Sequence, residues 1–229
     1  MAVILNIETS TDVCSVALTA EGMILCHYED FQGRNHAALL SGYIKKCLDW
    51  LREHEMTLSA VAVSIGPGSY TGLRIGLSEA KGLAFALGVP LIGVDTLQLM
   101  AVHAMFEPDA DPEALLVPMI DARRMEVFTA VYDFSLEEVV SPRPLILEPD
   151  SLCDVDPMRP MAVFGNGSDK AMTVLTRPGT VHIAGVVPLA TDMLALAERA
   201  YTRGEFLDIA YSTPRYLKDF QASTPKKPF

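Results

Sequence analysis

Cysteine is scarce: four residues in 229, Cys14, Cys26, Cys47 and Cys153, with no pair spaced as CxxC. Their neighbours are mostly apolar, so reduced core thiols are expected, and a disulfide framework or thiolate zinc site is excluded. The five histidines (His27, His36, His54, His103 and His182) show no metal-ligand spacing. His54-Glu55-Met56-Thr57-Leu58 opens like HExxH but ends in leucine, so a zincin site fails by one ligand. His36 stands at the start of a predicted helix and reads as a cap or surface residue. There is no GxSxG elbow, and with neither an activated nucleophile nor a metal-bound water, peptidase activity is not expected. Basic charge is also short: Lys and Arg number 18 against 29 Asp and Glu, a net charge of -11, and the dense basic spot is Lys226-Lys227. A chain that gripped a phosphate backbone alone would need a basic face; here a cationic partner would have to supply it. No apolar run is long enough to span a bilayer, and no basic leader precedes Ala2-Val3-Ile4-Leu5. The expected compartment is the cytoplasm, with no membrane contact.

What is present is a globular composition, 50% hydrophobic and 21% charged. Residues 3–8 are apolar and run into the turn-forming Thr9-Ser10-Thr11-Asp12. Strands are predicted over 13–19 and 23–31, separated by Glu21-Gly22, which makes an antiparallel meander. A helix over 36–53 carries Leu40, Ile44, Cys47, Leu48 and Leu51 on one face. A strand (60–65), a glycine-rich loop (66–72), a helix (72–87) and a strand (90–94) follow. Three antiparallel strands, helix, strand, helix, strand is the ribonuclease-H-like unit from which actin-like ATPases build each lobe. The predicted fold is therefore α/β, actin-like and two-lobed, with lobes at 1–106 and 107–229. The second half is less regular: a helix near 96–106, an acidic linker, strands near 115–121 and 125–133, and proline-punctuated extended chain over 139–160. A strand (161–165), a helix from Gly167 and a helix near 190–203, able to return to the first lobe, complete it. No internal repeat is visible.

The stretch Gly66-Pro67-Gly68-Ser69-Tyr70-Thr71-Gly72-Leu73-Arg74-Ile75-Gly76 carries the most chemistry. A strand enters it and a helix leaves it, and glycines there let backbone amides approach an anion at the helix start. It matches neither GxxxxGK[ST] nor GxGxxG. A strand-to-helix corner without a ligand explains the same glycines equally well.

This loop closely resembles the signature loop of the TsaB (YeaZ) family, relatives of TsaD-type enzymes. Leu5-Asn6-Ile7-Glu8-Thr9-Ser10, Asp121-Ala122-Arg123-Arg124-Met125-Glu126-Val127 and Pro214-Arg215-Tyr216-Leu217 resemble further segments of that family, so the resemblance spans nearly the whole chain. It implies an accessory role in placing threonylcarbamoyl on the adenosine beside the anticodon of tRNAs reading codons that begin with A. The implied partners are a TsaD-like catalytic subunit and a TsaE-like ATPase, with homodimers when alone and tRNA met only within the complex. TsaD-type enzymes hold a metal with an HxxxH motif after the strand that follows the glycine-loop helix; here Thr96 and Met100 occupy those places, so no metal is expected. By resemblance to actin-like ATPases, Glu8, Thr9 and Ser10 with Gly66, Gly68, Ser69, Thr71 and Gly72, and the turn Gly165-Asn166-Gly167, are candidate nucleotide contacts. No tightly bound cofactor is expected; weak ATP or ADP binding, with Mg only alongside the nucleotide, stays open. The competing reading is an actin-fold enzyme with its own site, a small-molecule kinase or a glycoprotease-type metallopeptidase.

On the helix over 72–87, Arg74, Ser78, Lys81 and Phe85 lie off the apolar stripe, and on that over 36–53 Leu39, Tyr43 and Trp50 lie beside it. These residues either cover the edge of their own core or form a docking face, and the family's pairing through these two helices implies the second. Reversing the charges of Arg74 and Lys81 is expected to leave the monomer fold intact.

Overall fold

The computed structural model describes residues 2–33 and 35–218; Lys226-Lys227 lie outside them. The chain opens with β1 (Val3–Glu8), β2 (Cys14–Ala20) and β3 (Met23–Asp30), then α1 (His36–Glu53), β4 (Ala60–Gly66), α2 (Tyr70–Leu87) and β5 (Leu91–Asp95). These strands make one sheet in the order β3-β2-β1-β4-β5, with β1, β4 and β5 parallel. Because β1 is central it is buried on both faces, which is why it reads as a continuous apolar run. Val3, Leu5 and Ile7 pack with the α1 and α2 stripes, while Ile4 faces the opposite layer.

After α3 (Thr96–Ala104) come β6 (Leu115–Asp121), β7 (Glu126–Tyr132), β8 (Glu138–Ile146), β9 (Met161–Phe164), α4 (Ser168–Met172) and β10 (Thr180–Ile183). Their sheet order is β10-β9-β6-β7-β8, and the pairings repeat those of the first sheet: antiparallel for the first three strands, parallel for the rest. The two lobes are thus topological copies, a repeat invisible in the residues. The copy is trimmed. No long helix joins β8 to β9; turns fill residues 147–160, and the buried Arg177 guanidinium donates to the carbonyls of Leu152, Val155, Asp156 and Arg159 to hold them. The helix matching α2 is only the five-residue α4.

Helix α3 is the wedge between lobes. Leu97, Met100, Ala101 and Ala104 pack on the second sheet's core; Leu99 and Val102 pack on the first sheet. That two-sided burial explains its lack of a polar face. A 3-10 turn (Ala190–Met193) and α5 (Leu194–Arg203) then return to the first lobe, where Met193, Leu196, Ala197 and Ala200 cover Ile4, Ala60, Ala62, Ile92 and Val94. Sequence boundaries differ from these at several points: β10 has no counterpart in the sequence reading, and the helix near 190–203 divides into the 3-10 turn and α5. Helix α2 begins at Tyr70, so Gly72 lies within its first turn; α3 ends at Ala104; and the extended chain over 139–160 divides into β8 and turns. No helix is long and apolar enough to cross a membrane among the described residues.

Candidate functional site

The corner between β4 and α2 is built on the turn that follows β1. Ser69 caps α2, its Oγ accepting from the Gly72 amide at 3.2 Å, and its own amide donates to the Ser10 carbonyl at 2.6 Å. The Thr9 hydroxyl donates to the Gly72 carbonyl at 2.9 Å. A Cβ at Gly68 would stand 2.3 Å from the Ser10 oxygen, one at Gly72 2.1 Å from the Thr9 oxygen, and one at Gly76 2.2 Å from Thr9 Oγ1. These three glycines admit the chain's own Thr9-Ser10 turn, so the close approach they provide is taken up by backbone at Gly68 and Gly72 and by the Thr9 side chain at Gly76. Gly66 (φ +109°) does the same for the Arg215 carbonyl, 2.8 Å from where its Cβ would be. Ser69 and Thr71 remain exposed at the rim.

Glu8 lies fully buried at the floor of this corner. Its Oε1 accepts from the Ser10 amide at 2.5 Å, yet burial pushes its carboxyl up to about 7, with the Asp192 charge adding to the shift. The hydroxyls of Ser10 and Ser64, buried beside it, oppose that rise, and among the described residues neither hydroxyl nor Oε2 has a well-formed hydrogen bond. Thr9 and Ser10, predicted to face a ligand, are buried beside it.

The second glycine turn, Gly165-Asn166-Gly167, occupies the matching place in the other lobe, between β9 and α4. It too is closed by its own chain: a Cβ at Gly165 would lie 2.3 Å from the Met100 methyl and 2.5 Å from the Met119 carbonyl. Asn166 Oδ1 accepts from the Asp121 amide at 2.8 Å. Asp121, at the end of β6, corresponds topologically to Glu8 at the end of β1, but its carboxylate is paired with the Lys170 ammonium. That ammonium also donates to the carbonyls of Arg124 (2.8 Å) and Glu126 (2.6 Å). The Ser168 hydroxyl lies 2.9 Å from His182 Nε2, and Asp169 approaches the same nitrogen at 3.6 Å, so the three do not form a relay.

Thr96 and Met100 are both in the interior, Met100 within the core between lobes. Among the described residues no three His, Cys, Asp or Glu side chains are grouped to hold an ion. His54 and Glu55 fall in the turn after α1, the His54 ring stacked on Trp50. His36, expected as a cap or surface residue, is instead buried, its Nε2 3.1 Å from the Val13 carbonyl, and Asn35 takes the cap position.

A groove of about 910 Å³ runs between α1 and α2, lined by Ala37 and Ile44 from one helix and Thr71, Arg74, Ile75, Ser78, Gly82 and Ala86 from the other. The Ser41 hydroxyl donates to Glu79 across it at 2.8 Å. Of the predicted interface residues, Arg74 and Ser78 line it. Phe85 does not line it but is 79% exposed on α2. Leu39, Tyr43 and Trp50 do not line it. Tyr43 stacks on Tyr28 of β3, with the Lys46 ammonium over both rings, and Trp50 packs on the core, so these two aromatics cover the edge of their own core. The groove's small residues, Ser78, Gly82 and Ala86, recur every fourth position, a signal that marks a close-packing line on α2.

The two cations of α2 correct the expectation that they are free. Lys81 Nζ donates to the carbonyls of Ala210 and Ser212, each at 3.1 Å, and Arg74 donates to Tyr216 and lies over the Tyr70 ring. They hold the segment 207–218, which also bridges Leu207 to Leu91, donates from the Arg215 amide to the Ile65 carbonyl at 2.7 Å, pairs Arg215 with Asp95 and ends with Lys218 paired to Glu126 of the other lobe. Nothing in the residue pattern of 207–218 announces this strap, because its bonds are to backbone and to distant elements.

Two copies of one mixed sheet joined through a buried helix, with paired glycine turns at equivalent strand ends, define a two-lobed α/β protein of the actin-like ATPase fold. A family profile described as TsaD, tRNA N6-adenosine threonylcarbamoyltransferase, matches residues 29–218. The tRNA threonylcarbamoyladenosine biosynthesis protein TsaB of Escherichia coli (strain K12) is 31% identical over 228 residues, 94% of each chain. The TsaB protein of Bacillus subtilis (strain 168) is 33% identical over 63% of this chain and 62% of its own. Two structures from Pseudomonas aeruginosa, one described as similar to peptidase YEAZ and one as YeaZ, superpose with TM-scores of 0.81 and 0.78 at 31% identity, each over 95% of this chain and 100% of that one. The chain belongs to the TsaB (YeaZ) family of tRNA threonylcarbamoyladenosine biosynthesis proteins.

Proposed function

We propose that this chain is a non-catalytic subunit that docks a TsaD-type catalytic relative and is needed for threonylcarbamoyl transfer to tRNA in the cytoplasm. The observation that carries this reading is the open groove between α1 and α2, lined by Ser78, Gly82 and Ala86 of α2, the helix that also exposes Phe85, a shape suited to receiving a partner's helices. The interior placement of Thr96 and Met100, where the catalytic relatives' histidines would stand, supports a role without a metal of its own. Glycine turns occupied by Thr9, Ser10, Met100 and Met119 support a fold that keeps the corners of a nucleotide-binding ancestor with little room for a nucleotide; ATP or ADP binding, if any, is weak and metal-assisted. Alone, the same groove pairs two copies; in the complex, a TsaE-like ATPase joins and tRNA is met. The test is co-purification with the TsaD-like protein of the same cell, followed by transfer from a threonylcarbamoyl-adenylate donor to tRNA. Each protein alone is expected to be inactive and the mixture active. Transfer by this chain alone, or full transfer without it, overturns the reading.

A further inference from the structure

The turn between β6 and β7 is made against backbone preference. Arg123 (φ +70°) and Arg124 (φ +53°) are consecutive non-glycine residues in the left-handed region, where Gly and Asn are the favoured occupants. Both are exposed, and among the described residues neither guanidinium is ion-paired. A turn chosen for conformation alone would not carry two arginines there; strained positions of this kind gather where side chains do the work.

The turn is also braced. Asp121 Oδ1 accepts from the Arg123 amide at 3.0 Å, Asn166 holds the Asp121 amide, and the Lys170 ammonium is pinned on Asp121 and the Arg124 and Glu126 carbonyls. Lys218 neutralises Glu126 at 2.6 Å. Asp121 and Glu126, the carboxylates that brace the turn, are therefore each matched by a lysine, and the two guanidinia are left unpaired among the described residues, on a chain whose net charge is -11. Two exposed arginines on a backbone-braced turn of an anionic protein fit a phosphate backbone, which guanidinium grips through paired N–H bonds.

We infer that Arg123 and Arg124 form a phosphate-contacting tip through which this chain touches the backbone of RNA once it is in its complex. The inference rests on the tRNA-modifying reading above. It explains how a chain too acidic to bind RNA alone still contributes to holding it: two point contacts position the substrate, while a partner supplies the broader field.

The experiment uses the full chain in complex with its TsaD-type partner, the double variant Arg123→Asn/Arg124→Gly, and unmodified tRNA. The substitutions suit the left-handed turn, so the melting temperature of the isolated variant is expected to hold or rise. The variant complex is expected to assemble normally yet bind tRNA more weakly, on the order of tenfold, with a slope of log affinity against log salt reduced by about 1.5. Arg123→Lys/Arg124→Lys, which keeps the charge, is expected to recover most of the affinity. Unchanged affinity and salt slope in the Asn/Gly variant overturn the inference. Failure of that variant to assemble also overturns it, and assigns the tip to an acidic protein surface. If the wild-type complex itself neither binds nor modifies tRNA, the underlying functional reading fails instead.

Discussion

Arg74 Nε donates to the Tyr216 hydroxyl at 3.0 Å, tying the second turn of α2 to a residue 142 positions later. With Lys81 on the Ala210 and Ser212 carbonyls, this makes α2 the anchor of the strap over 207–218.

The double change Arg74→Glu/Lys81→Glu is therefore expected to free the strap. Two donors become acceptors facing carbonyls and a hydroxyl. The melting temperature should fall by a few degrees and limited proteolysis should cut within 207–218 before it cuts elsewhere. An unchanged cleavage pattern would show that the strap is held by Leu207 and Arg215 alone.

Gly82→Trp separates docking from folding. A Cβ there meets nothing within 4 Å, and the residue is exposed in mid-helix within the groove. Replacing a helical glycine by tryptophan gains roughly 0.5 kcal/mol or less of helix propensity, so the fold should hold. The indole fills the groove, and sedimentation should show loss of pairing with itself and with the TsaD-like partner. Association at wild-type strength would place the interface elsewhere.

Gly72→Val strikes the corner. Its Cβ would stand 2.1 Å from the Thr9 carbonyl, which is backbone and cannot rotate away. The variant should lose about 3 kcal/mol or more, read as a lower urea midpoint. Gly22→Ala is the control for glycine removal at a turn: it too is left-handed but meets no atom within 4 Å, so its loss should be the smaller one.

Glu8 sets a pH dependence. Its folded pKa of about 7 lies above its ordinary value of 4.5, so between these the folded chain keeps a proton that the unfolded chain has lost. Stability contributed by this group is fully present below the lower value, falls as pH rises to the upper one, and is flat beyond it. Glu8→Gln should remove that slope and be the more stable protein above pH 7, by up to about 3 kcal/mol. Urea unfolding of both proteins across the window checks it; parallel curves would mean that the carboxyl ionises freely in the folded state.

The first lobe was legible because its signals are local. The apolar runs and short turns of β1 to β3, the stripe of Leu40, Ile44, Cys47 and Leu51, and the glycines after β4 each report their own element. Strand β8 was hidden because Pro142 and Pro144 interrupt it, which an edge strand tolerates since its outward amides need no partner. The choice between the two flanks of α1 was hidden for another reason. Leu39, Tyr43 and Trp50 on one side and Ala37 on the other border the same core stripe, and only the position of α2 decides which flank becomes a groove. The duplicated topology left no trace because sheet pairing constrains hydrogen bonds and burial, not residue identity, and the second lobe had exchanged its long helix for a loop held by Arg177.

That exchange makes the molecule one-sided. Eighteen-residue helices lie side by side only on the first lobe, and the second offers a five-residue helix in the corresponding place. On the docking proposed above, self-pairing and pairing with another protein would draw on this one surface and exclude each other, so the amount of this chain relative to its companion would set how much of the face is free.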